Sequence, residues 1–255
     1  LFLERPDGST IAYHFSKGKS SSQKGGPGVM FLGGFMSDMT GTKATALESY
    51  CQNQGRSFVR FDYTGHGQSS GRFEDGTIGQ WRDDALSILD EVTEGPQVLV
   101  GSSMGGWISL LVALARPDRM AGLVCIAPAP DFTENLMWPE LDDDAKNKLK
   151  TDGICYLPSE YSDEPYVLSM KLIEEGRDHL LLGDPISIAC PVRILQGMLD
   201  PNVPWKHALR LCDKLAGEDV VLCLVKSGDH RLSEPEDLAR LTDALEELCA
   251  KTSPA

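Results

Sequence analysis

No run in these 255 residues approaches the roughly 18 consecutive apolar side chains that a membrane-spanning helix needs. A helical membrane span is therefore not expected, and the chain reads as soluble. Basic residues are scarce, with 24 Lys and Arg against 38 Asp and Glu and a formal net charge of −14. Such a balance argues against a nucleic-acid partner and against stable insertion into an anionic lipid surface, although a local basic patch remains compatible with it. The seven cysteines (Cys51, Cys125, Cys155, Cys190, Cys212, Cys223 and Cys249) include no CxxC pair. An odd, dispersed set in apolar runs excludes a disulfide framework or a zinc site and reads as reduced structural thiols in an intracellular compartment. An initiator Met is missing, and LFLERPDGST resembles a hairpin more than a signal or transit sequence, so a mature or trimmed form is expected.

What is present suffices for one sizeable core. At 41% hydrophobic residues, the chain is expected to form a single domain over 1–255, since two independent domains usually need more length. Short β-rich runs alternate with helical patterns, which predicts an α/β fold with a mostly parallel central sheet and helices on both faces. Leu1–Glu4 and Ile11–Phe15 flank Asp7-Gly8 as an antiparallel hairpin. Buried strands are expected at Val29–Leu32, Phe58–Asp62, Val98–Gly101, Leu123–Ile126, Val192–Leu195 and Val220–Val225. Helices are expected at about Gly41–Gln54, Ile78–Thr93, Met104–Ala115, Trp205–Leu215 and Glu234–Ala250, with Thr77/Gln80 and Ser233/Glu236 in capping-box spacing.

The rhythm breaks at about 128–191, a stretch too long for a bare loop and expected to carry its own helices as a small lid over the sheet. Its Leu136, Met137, Trp138, Tyr166, Val167, Leu168, Met170, Leu172 and Ile173 either line an apolar pocket or fasten the insertion to the sheet. The acidic run Asp142-Asp143-Asp144 reads as a solvated helix face.

Residues 98–106, VLVGSSMGG, end a buried strand and start a helix, which fits G-x-S-x-G as a nucleophile elbow. Register separates the two serines. Only Ser103 has glycine at both −2 and +2, where a side chain would clash as strand turns into helix. Ser102 is flanked by Val100 and Met104 and is expected to be a packed or capping residue. A serine nucleophile needs a base, usually His held by a carboxylate. Of five histidines, His14, His66, His179 and His207 sit in a hairpin, a Gly-bounded turn, the insertion and a helix. His230 instead follows the strand Val220–Val225, in a loop at the C-terminal sheet edge where open α/β folds bind ligands. For the acid, Asp200 after RILQG competes with Asp131 in APAPDF. Asp200 is preferred because its strand neighbours the one preceding His230, and Asp229 is taken as a turn residue.

With LGGF (32–35), RFDYTGHGQS (60–69), GSSMGG (101–106), QGMLDPNVP (196–204) and GDH (228–230) in place, the chain resembles the α/β-hydrolase fold family over essentially its whole length. It is most similar to the mitochondrial α/β-hydrolase-domain branch of acyl-protein thioesterases (depalmitoylases) and acyl-glucuronide esterases. The resemblance implies a serine hydrolase with Ser103 as nucleophile, Asp200 as acid and His230 as base. The backbone N–H groups of Phe35 and Met104 would form the oxyanion hole, and no metal or organic cofactor would be needed. Many relatives carry His-Gly where this chain has Gly33-Gly34. The implied partner is an acylated protein or a small acyl ester, the implied compartment is mitochondrial, and oligomeric state stays open. Other readings are a non-catalytic binding protein on the same fold and a generic short-chain carboxylesterase. Arg177, His179 and Lys206 are the candidate cations for an anionic leaving group such as a glucuronide.

Overall fold

Alternation along each apolar run decides which face of the sheet a residue enters. The computed structural model describes residues 1–18, 26–157 and 165–252. Among the described residues ten strands form: β1 Phe2–Glu4, β2 Thr10–Ser16, β3 Gly28–Leu32, β4 Phe58–Phe61, β5 Gln97–Ser102, β6 Met120–Ile126, β7 Ile154–Leu157, β8 Tyr166–Ser169, β9 Val192–Gly197 and β10 Val220–Val225. Eight make one sheet in the order β1-β2-β4-β3-β5-β6-β9-β10. In this sheet the first hairpin joins β4 antiparallel, and every later pairing is parallel. The predicted α/β architecture therefore forms, with the first hairpin paired Phe2 to Ala12 and Gly8 at φ 84° in its turn.

The central strands are buried on both faces, as parallel strands covered by helices must be. Met30 and Leu32 of β3, Leu99 of β5 and Leu123 and Cys125 of β6 enter one core. Val29 and Phe31, Val98 and Val100, and Val124 and Ile126 from the same strands enter the other. The first core is closed by α2 (Ile78–Glu91), α3 (Met104–Ala115) and α7 (Trp205–Lys214), through side chains such as Trp81, Trp107 and Leu211. The second is closed by α1 (Thr42–Gln54) and α8 (Pro235–Thr252), through Leu47, Leu241, Leu245 and Leu248.

Helix ends follow local chemistry. Thr77 accepts a hydrogen bond from the Gln80 amide at 3.2 Å and so caps α2 as expected. The other expected cap is displaced. The last helix starts at Pro235, the Glu234 carbonyl accepts the Asp237 and Leu238 amides, and the Ser233 hydroxyl donates to the Arg231 carbonyl instead. Proline is pre-set for the first helical position, and this outweighs the capping-box spacing.

Between β6 and β9 the insertion carries a π-helical turn at Thr133–Met137, then α4 (Trp138–Glu140), α5 (Asp143–Asp152), the antiparallel pair β7–β8 and α6 (Met170–Gly176). The two short strands are an addition to the helices expected there. The acidic run starts α5: Asp142 caps the Ala145 amide at 2.7 Å, while Asp143 and Asp144 lie in the first turn, where the helix dipole favours negative charge. The insertion is pinned to the body by Lys171, which donates to the Asp75 carbonyl, and by Glu175, which accepts the Gly79 amide at the start of α2.

Candidate active site

The residues Gly101 to Gly105 turn β5 into α3 with almost no room. A Cβ at Gly101 would overlap the Gly105 carbonyl, and one at Gly105 would overlap the Leu32 carbonyl. Between them Ser103 is held at φ 54°, ψ −117°, a conformation that a non-glycine residue adopts only when its surroundings impose it. Its amide donates to the Ile126 carbonyl at 2.9 Å, and its carbonyl accepts the Gly106 and Ala129 amides. Ser102 is buried, whereas Ser103 is partly exposed at the apex of the turn.

Two post-strand loops converge on that apex. His230 Nε2 lies 3.1 Å from Ser103 Oγ, and His230 Nδ1 lies 2.8 Å from Asp200 Oδ2. The Asp200 carboxylate is wholly shielded from solvent and the imidazole is partly open. Asp200 Oδ1 accepts the Asn202 and Val203 amides at 2.9 and 2.8 Å, and Oδ2 also accepts from Gln196 Nε2 at 3.1 Å. These donors fix the carboxylate in place and orient it toward the ring. Asp229 accepts the Arg231 and Leu232 amides and is a turn residue.

Asp131 does not reach this group. Its two oxygens accept the Leu181 and Leu182 amides at 2.8 Å each, fastening the far end of the insertion. Burial raises its pKa, which those two hydrogen bonds oppose. The other histidines are engaged elsewhere. His14 pairs with Glu48 at 2.6 Å, His179 with Glu175 at 2.8 Å, and His207 Nε2 lies 2.7 Å from the Pro130 carbonyl. His66 is buried among Tyr63, Phe73 and Trp81, and burial pushes it down to about 4.

The loop after β3 lies against the elbow, where a Cβ on Gly34 would stand 3.5 Å from the Ser103 Cβ. The Phe35 and Met104 amides donate to no protein acceptor among the described residues. Where the loop lacks a histidine it is braced from the RFDYTGHGQS segment. Asp62 accepts the Met39 amide at 2.6 Å and the Gln68 amide at 2.8 Å, and Arg60 donates to the Met39 carbonyl at 2.6 Å. The Phe35 ring packs edge-on against Phe73, Trp81 and Phe132, and Tyr166 of the insertion lies 6.2 Å from it.

The insertion residues divide. Leu168, Leu172 and Ile173 are buried in the core and fasten the segment down. Leu136, Met137, Trp138 and Met170 are only partly buried. Of the candidate cations, Arg177 pairs with Glu134 at 2.7 Å and lies over the Trp138 ring, His179 pairs with Glu175, and Lys206 lies over Trp205. Sequence reasoning missed Gln196, Asp62 and Arg60. Gln196 carried a signal, being an uncharged polar residue at the C-terminal end of a strand run, just before the Asp200 loop.

An elbow of this kind on a sheet of this order marks the α/β-hydrolases, and comparison with known proteins leads to the same class. A family model described as serine aminopeptidase, S33, matches residues 29–149, a span that includes Phe35 and Ser103 and stops short of Asp200 and His230. The mitochondrial palmitoyl-protein thioesterase ABHD10 of Bos taurus is 42% identical over 253 residues, 99% of this chain and 80% of the relative; the Homo sapiens protein is 41% identical over the same shares. Among solved structures, a putative hydrolase from Agrobacterium vitis is 42% identical with a TM-score of 0.92, covering 97% of this chain and 96% of that one. Mouse α/β-hydrolase domain-containing protein 10 is 41% identical with a TM-score of 0.89, covering 99% of each chain. The chain belongs to the α/β-hydrolase family, in the ABHD10 group, and is a hydrolase.

Proposed function

We propose that the protein is a palmitoyl-protein thioesterase (S-depalmitoylase) that also hydrolyses acyl glucuronides, working through Ser103, His230 and Asp200. The observation that carries this reading is the unbroken hydrogen-bonded line from Ser103 Oγ through the His230 imidazole to the buried Asp200 carboxylate, at 3.1 and 2.8 Å. His230 Nε2 takes the Ser103 proton as Oγ attacks the acyl carbonyl, and Asp200 holds the imidazole tautomer and stabilises the imidazolium. The Phe35 and Met104 amides bind the oxyanion. The thiolate or alkoxide leaves with the proton from His230, and water activated by the same imidazole frees the acid.

The whole chain 1–255 acts as one catalytic unit, with about 128–191 as its lid. Phe35, Phe132, Tyr166 and Met170 offer an aromatic and flexible surface suited to an acyl chain. The substrate class comes from the named activity of the ABHD10 relatives, and by resemblance to them the compartment is mitochondrial. The test is turnover across an acyl-chain series with sulfur, oxygen and amide leaving groups compared at each length. Preference for long-chain thioesters and bulky esters over amides supports the reading. Robust peptidase activity, or action confined to acetyl esters, overturns it.

A further inference from the structure

Lys43 stands in the first turn of α1, where the helix dipole disfavours a cation, so its placement calls for another reason. Its side chain leaves the helix and crosses to the loop that carries His230. The Lys43 ammonium donates to the Arg231 carbonyl at 2.5 Å and lies 3.4 Å from Ser233 Oγ. Arg231 directly follows His230. Leu232, next along, is buried at φ 44°, a strained conformation for a large side chain that persists only where the surroundings hold it. Asp229 holds the same turn through the Arg231 and Leu232 amides, and Lys43 holds it through the Arg231 carbonyl.

The other end of Lys43 is as informative. α1 begins directly after the loop 33–41 that carries Phe35, and this loop is fixed at Met39 by Arg60 and Asp62. The two sides of the elbow are thus joined by one side chain, across 188 residues of sequence. Burial pushes the Lys43 ammonium down to about 8 against the opposing pull of Asp229, as expected for a cation drawn out of water to make this contact.

We propose that Lys43 is a positioning residue: it locks the His230 loop to the oxyanion-side helix, so that the base and the Phe35 amide keep one relative geometry around Ser103. This rests on the catalytic reading above. A misplacement of about 1 Å at such a site can lower turnover by about 100-fold.

The test compares wild type, Lys43→Met, which keeps the length and loses the donor, and Lys43→Arg, which restores a donor. The readouts are kcat and KM on a long-chain acyl thioester, the rate of fluorophosphonate labelling, and Tm. Lys43→Met is expected to lower kcat and the labelling rate together by about 10- to 100-fold with KM within about twofold, and Lys43→Arg to recover most of the loss. Should Lys43→Met fail to fold, Lys43→Leu, a shorter side chain that likewise has no donor, is read in the same way. A kcat within about twofold of wild type, or a fall in Tm alone with folded enzyme fully active, overturns the proposal. If wild type itself is not labelled on Ser103, the catalytic reading fails instead, which separates the two.

Discussion

The Leu199 amide donates to the Gly228 carbonyl at 2.9 Å, tying the loop of Asp200 to the loop of His230. These loops follow β9 and β10, which pair in parallel from Val220–Val192 to Val225–Gly197. Asp200 and His230 are therefore linked to each other through this sheet edge, independently of the insertion.

Register at the elbow separates two adjacent serines. Ser103→Ala is expected to lose labelling by a fluorophosphonate probe, and Ser102→Ala, which alters a buried side chain beside it, to retain it. In-gel fluorescence reads both, and labelling of Ser103→Ala would move the nucleophile elsewhere.

The two candidate acids have separable effects. Asp200→Asn is expected to lower turnover by about 10^4-fold, by analogy with the same change in serine proteases. Asp131→Asn leaves one of the Leu181 and Leu182 amides facing an NH2 donor, so it is expected to lower Tm while turnover stays within about tenfold. Steady-state kinetics together with thermal melts distinguish these outcomes, and the reverse ranking would make Asp131 the acid.

Insertion residues should divide by burial. Leu168 is 1% exposed, so Leu168→Ala is expected to destabilise the protein by about 2–5 kcal/mol. Met170 and Trp138 are half-buried, and Met170→Ala or Trp138→Ala is expected to weaken the preference for long acyl chains with a smaller loss of stability. Urea titration and chain-length profiles check the division. An unchanged profile in both variants would remove the insertion from acyl recognition.

His66 makes acid destabilising. Its folded pKa of about 4 lies below the ordinary 6.5, so between these values the unfolded chain takes up a proton that the folded one refuses. Its contribution is intact above about pH 6.5 and falls by about 2 kcal/mol on going from pH 7.5 to 5. Burial raises Asp62, Asp84 and Asp131, which acts in the opposite direction, so the comparison must be with a variant. His66→Phe keeps a ring beside Tyr63, Phe73 and Trp81 and is expected to lose less stability over that range. Parallel urea-derived curves for the two proteins would contradict this.

Legibility followed the range of the forces involved. Strands β3, β5 and β6 were visible because strands buried on both faces leave uninterrupted apolar runs, and the elbow was visible because close packing demands glycine at fixed offsets. β7 and β8 were not, since each has only four residues and pairs only with the other inside the insertion. The bonds from Lys43 to Arg231 and from Asp62 to Met39 join residues far apart in sequence, and no local pattern encodes them. The start of α8 was expected at about Glu234 and lies at Pro235, while the expected Ser233 cap was displaced because Pro235 is pre-set for the first helical position.

The most direct test of the catalytic reading is rapid-quench mass spectrometry of the enzyme mixed with a palmitoyl thioester. A hydrolase acting through Ser103 gives a transient palmitoyl adduct that maps to the peptide containing Ser103, is absent in Ser103→Ala, and accumulates where deacylation is slow. Turnover with an adduct on another residue, or turnover that persists undiminished in Ser103→Ala, would contradict it.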